Sequence, residues 1–204
     1  MSALPHKFFP KKRLEALTDG IYAVALTLLV LNLKLPAVSL DSAQFINAIY
    51  GQLPNVLSWL LSFWVLVIYW EFQARLMECV SHVDNAFLRL DLIHLALISL
   101  LPFSTSLIGE HGQHTLSVFI YTANLWLISA VASLRVRYVI QHESIRESDI
   151  SALWLSEQMK TSLAMLVALS IALALSVVAP GYNLLAIFAA KIYLKIQGRH
   201  IKSQ

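Results

Sequence analysis

Residues 13–36 read RLEALTDGIYAVALTLLVLNLKLP. Between Gly20 and Asn32 the run is apolar apart from the Tyr22 and Thr27 hydroxyls. About 20 apolar residues are what an α-helix needs to cross the ~30 Å hydrocarbon core of a bilayer. The run predicts a first transmembrane helix over 14–35, closed by Pro36. It continues past Lys34 with no small-residue cleavage site, so it reads as a retained span and not as a signal peptide. Arg13, Glu15, Thr18 and Asp19 stand at its mouth. A carboxylate at the edge of hydrocarbon is costly and needs a partner.

The rest of the chain fits a membrane protein. Its 204 residues are 58% hydrophobic and only 13% charged, against roughly 45–50% and about 25% in soluble domains. Further apolar runs predict spans over 53–72, 88–108, 116–134 and 162–178, with a short sixth over 182–196 in which Lys191 and Lys195 must snorkel. We expect a single all-α transmembrane domain over residues 1–204. Six spans put fourteen of the fifteen Lys and Arg on one side, with only Lys34 on the other. The positive-inside rule makes that side, with both termini, cytoplasmic. The connection 136–161 reads as an amphipathic or helical cytoplasmic linker.

At 100° per residue, Leu17, Gly20, Val24, Thr27, Leu28, Leu31 and Leu35 form one stripe of the first helix. Such a stripe packs on neighbours or lipid, or forms a dewetted constriction around a symmetry axis. Asp19 lies off the stripe. It either caps the helix start with Thr18 or joins a polar lock with Arg13, Glu71, Asp91 and His94 at similar depth; a proton relay is a third use of such a cluster. Pro102 predicts a kink in the third span, with Ser99, Ser104, Thr105 and Ser106 taking the carbonyls it frees. Trp59, Trp64 and Trp70 read as packing or interfacial residues. His111 and His114 lack a carboxylate cage, and Cys79 stands alone, so no metal, cofactor or disulfide is expected. No nucleophile–base pair suggests an enzyme, and no basic stripe with aromatics suggests nucleic acid.

RLEALTDG followed by the apolar run resembles the arginine-x-x-x-phenylalanine-serine-aspartate signature of the transmembrane protein 175 family, potassium channels of lysosomes and prokaryotes. LLPFST (101–105 with Leu100) is similar to that family's third span. For a chain with one six-span unit, the resemblance implies a homotetramer in a prokaryotic cell membrane, surrounded by lipid and passing potassium. It implies a pore lined by the first helix of each subunit, with Val24 at the constriction and Thr27, Leu28 and Leu31 below. It also implies that Arg13, Thr18 and Asp19 fasten this helix to its neighbours. Leu17 and Thr18 replace the signature phenylalanine and serine, and Gln73 stands where members carry a histidine. The lock is therefore expected to use Gln73 and His94. No TVGYG filter is present, so selectivity falls to the helix-one ring, where Thr27 supplies the oxygens. The competing readings are a proton-coupled transporter and a non-conducting membrane interaction protein.

Overall fold

The first apolar run folds as helix α1 (Lys11–Leu28), led in by Pro10 and tightening into a 3-10 turn over Leu29–Asn32. The structure, a computed structural model, describes residues 9–34, 41–147 and 152–178. Helix α2 (Ser42–Gly51) follows, opened by a capping box in which Asp41 and Gln44 satisfy each other's backbone N–H. Helix α3 (Leu53–Glu78) starts with Pro54 in its first turn, where a missing N–H costs nothing. Helix α4 (Asn85–Ser99) is capped by Asp84, whose carboxylate accepts from the Phe87 N–H at 2.8 Å. Helix α5 (Leu101–His111) continues it after a break at Leu100, the kink expected from Pro102. Helices α6 (Thr115–Gln141) and α7 (Ala152–Val178) complete the described bundle.

Among the described residues five stretches are long and apolar enough to cross a membrane: Lys11–Asn32, Ser42–Glu78, Asn85–His111, Thr115–Gln141 and Trp154–Val177. The chain is an all-α integral membrane protein. The sixth span expected over 182–196 lies outside the described residues.

Several boundaries differ from the sequence expectation; α3, for one, runs on to Glu78. Helix α2 was not foreseen, because its apolar Phe45, Ile46, Ile49 and Tyr50 are broken up by polar residues and too few to span. Helix α6 runs on to Gln141 and α7 starts at Ala152, so most of the 136–161 linker is helix, one of the two forms expected of it, and continues the flanking spans. Arg137, Glu157 and Lys160 lie within these helices, whereas Glu143, Arg146 and Glu147 lie between them.

Two apolar clusters hold the bundle. One, around Tyr22, Leu66, Tyr69, Leu95, Leu125 and Leu169, joins α1, α3, α4, α6 and α7. The other, around Leu14, Leu76, Phe87, Val136 and Leu155, lies toward the arginine- and lysine-rich end. There three connections knit together through bridges between Phe9 and Val83 and between Val80 and Arg146. Ser81 N–H reaches Ile145 O at 2.8 Å, and Glu147 N–H reaches Cys79 O at 2.9 Å. Burial pushes the Cys79 thiol up to about 12, so near neutral pH it is an inert thiol.

Candidate functional site

Helix α1 has two unlike faces. Leu14, Thr18, Tyr22, Ala25 and Leu29 recur every three or four residues and are buried against the bundle. On the other side Val24 is 56%, Leu28 41% and Leu31 59% exposed, with Leu17, Gly20 and Thr27 also exposed. A groove of about 370 Å³ follows this stripe past Leu17, Gly20, Val24 and Leu28 to Ser99 on the α4 edge. Thr27 donates its hydroxyl hydrogen to the carbonyls of Val24 at 2.9 Å and Ala23 at 3.1 Å. Its lone pairs are what remains for a ligand.

Behind the buried face lies an ion pair. Asp91 of α4 and Arg135 of α6 are fully buried and paired. Gln73 of α3 bridges them: its amide N–H₂ donates to Asp91 Oδ1 at 3.1 Å, and its carbonyl accepts from Arg135 Nη1. Thr18 reaches Asp91 Oδ2 at 3.5 Å. One turn further on, the Tyr22 hydroxyl meets His94 Nε2 at 2.9 Å. The guanidinium of Arg135 also lies over the Phe87 ring, 5.4 Å from its centroid.

The expected partnership of Arg13 with Asp19 is not formed. Both are exposed, and among the described residues no ion pair joins them. The cause is helical geometry: six residues at 100° leave the two side chains about 120° apart. Asp19 instead accepts from Trp70 Nε1 at 3.0 Å, so Thr18 and Asp19 face different neighbours. Glu71 takes no part; it faces Arg75 at 3.8 Å on the surface. Gln73 and His94 do lie in the buried cluster.

Arg135 was missed because it was counted as a loop cation. The signal was present: it falls seven residues after Ile128 and three after Ala132, on the buried stripe of α6. Tyr22, four residues after Thr18, was read only as a hydroxyl interrupting the apolar run.

The hydroxyls around Pro102 bond elsewhere than expected. Ser104 and Thr105 donate to the Leu101 carbonyl at 3.0 and 2.8 Å, and Ser99 to Ala96 O at 2.7 Å. The Ile98 carbonyl, which the missing proline N–H would have served, takes the Leu100 N–H. Asn32 Nδ2 donates to Pro102 O at 3.2 Å, tying the end of α1 to the kink. His111 and His114 are exposed neighbours, ring centroids 6.1 Å apart. Among the described residues no group of three or more His, Cys, Asp or Glu is placed to hold a metal.

Residues 13–102 match the family described as "Endosomal/lysosomal potassium channel TMEM175". The chain is 30% identical over 128 residues to a potassium channel of Chamaesiphon minutus, the match covering 61% of this chain and 63% of that one. It is 35% identical over 131 residues to a potassium channel of a Chryseobacterium species, covering 64% and 65%. The chain thus spans just under two thirds of the length of these relatives. Its fold is similar to the crystal structure of a lysosomal potassium-selective channel TMEM175 homologue from Chamaesiphon minutus, with TM-score 0.80 and 24% identity over 92% of this chain and 97% of that one. It also resembles the potassium channel MtTMEM175 crystallised with a nanobody–MBP fusion, with TM-score 0.65 and 15% identity over the whole of both chains. The exposed α1 stripe and the buried residues Thr18, Tyr22, Gln73, Asp91 and His94 all fall within the stretch 13–102 that matches the TMEM175 family, and the fold is similar to that of solved TMEM175 channels.

Proposed function

We propose that the chain assembles as a homotetramer in a prokaryotic cell membrane and conducts potassium along an axis lined by α1 of each subunit. One observation carries this. Val24, Leu28 and Leu31 are exposed on one face of a helix whose other face is packed to completion. Four such faces around an axis form a narrow apolar constriction. In this reading Val24 is the constriction, Leu28 and Leu31 the rings below it, and Thr27 the source of oxygens. The basic end, with both termini, faces the cytoplasm.

Potassium is favoured over protons by the pattern of relatives. Those named potassium channels match at 27–35% identity over 63–65% of their length. Those named proton channels match at 20–24% over 25–28% of theirs. A transporter that uses Asp91 as a carrier site is disfavoured, because Arg135 and Gln73 already occupy that carboxylate. Purified protein in planar bilayers under asymmetric potassium tests the proposal. Unitary currents reversing near the potassium potential are expected. Their absence from protein that remains tetrameric in lipid overturns it.

A further inference from the structure

We propose that Arg135, on a helix away from the stripe, positions the conducting helix by acting through Asp91. The inference rests on the reading of α1 as the pore-lining helix.

Helix α1 brings no charge of its own to its buried face. It offers two neutral hydroxyls, Thr18 and Tyr22, to Asp91 and His94 of α4. Both acceptors are fully buried. A carboxylate is kept in such a place only with a countercharge and with its lone pairs satisfied. Arg13, the cation the sequence offers for that task, stands exposed on another side of α1. Arg135 supplies the charge from α6 instead. Its planar fork reaches Asp91 with one nitrogen and Gln73 with the other, a geometry a lysine ammonium does not reproduce. The α1 register against α4 is thereby set from the far side of the bundle. Arg135 itself touches neither the stripe nor an ion, so it is a positioning residue.

The test reads helix orientation directly. Single cysteines replace Ala16, Leu17, Ala23, Val24, Thr27, Leu28 and Leu31 in turn, and disulfide cross-linking between subunits is scanned in vesicles. Wild-type background is expected to cross-link most at Val24 and Leu28. Arg135→Gln is expected to spread cross-linking round the helix, so that single cysteines at Ala16 and Ala23, exposed but off the stripe, also cross-link. It should also cut potassium flux by about tenfold or more and lower Tm by about 10 °C. Arg135→Lys should keep most of the Tm but not the sharp cross-linking pattern. The neutral pair Asp91→Asn with Arg135→Gln should recover at least half of both, because it leaves no charge stranded. If Arg135→Gln does not fold, the lysine variant and the neutral pair carry the same comparison. An unchanged cross-linking pattern in a folded Arg135 variant overturns the proposal, as does a neutral pair no better than the worse single variant. Wild-type protein with neither flux nor cross-linking at Val24 overturns the pore reading itself. Wild-type flux with an uncoupled Asp91–Arg135 pair overturns only the positioning role.

Discussion

The signature hydroxyl of α1 is Thr18, yet the distances assign more of the helix's attachment to Tyr22. The Tyr22 hydroxyl lies 2.9 Å from His94 Nε2, with both side chains buried. Thr18 lies 3.5 Å from Asp91, at the outer limit of a hydrogen bond. Side-chain hydrogen bonds between membrane helices contribute about 0.6 kcal/mol on average and up to about 1.7 kcal/mol. Tyr22→Phe removes a short bond and strands the imidazole nitrogen, so its cost sits at the top of that range, about 1–2 kcal/mol. For a chain of this size that is a Tm drop of about 2–8 °C. Thr18→Val keeps the side-chain shape, and Asp91 retains Arg135 and Gln73. Its cost is about 0.5 kcal/mol or less, within about 2 °C. Thermal unfolding of both variants in one detergent, followed by intrinsic fluorescence, makes the comparison. A Thr18→Val loss equal to or larger than that of Tyr22→Phe would refute this assignment.

Other outcomes follow from the same geometry. Val24→Cys should cross-link between subunits in the otherwise native chain, because the buried, high-pKa Cys79 does not compete; a monomer in mild detergent and in lipid sinks the pore model. Asp19→Ala should leave assembly intact and cost about 1 kcal/mol or less, since Asp19 is exposed and loses only its bond from Trp70. Collapse of the oligomer on gel filtration would show that Asp19 has a partner beyond its own chain. Thr27→Val should preserve the oligomer and lower the preference for potassium over sodium, read as a bi-ionic reversal-potential shift; an unchanged reversal potential removes Thr27 from the site.

The spans were legible because hydropathy is a sum over many residues. Miscounting Arg135 as a surface cation moved one of fifteen charges and left the lopsided distribution intact. The partners of polar residues were not legible in the same way, because each depends on which helices touch. Arg13 and Asp19 look like neighbours in sequence and diverge by helical geometry. Asp91 and Arg135 are far apart in the chain, and α4 against α6 brings them together. Only the burial period of α6 pointed to it. Helix α2 escaped for a different reason: its apolar Phe45, Ile46, Ile49 and Tyr50 recur at helical spacing but are too few to make a span.

The end of α1 shows where a fixed 100° period misleads. An α-helix would place Leu31 about 60° round from Leu28 and about 4.5 Å further along. The residues after Leu28 instead form a 3-10 turn, Leu29–Asn32. In that geometry positions three apart eclipse one another, and the rise is about 2.0 Å per residue. Leu31 therefore stands in line with Leu28, about 6 Å further along, and both are exposed. Asn32 anchors this tighter turn through its bond to the Pro102 carbonyl, on the kinked segment that follows α4. Through this bond the kinked span meets the tighter turn. Under the pore reading that turn aligns two leucine rings that an unbroken α-helix would set askew, and the apolar constriction becomes longer and straighter than the sequence period implies.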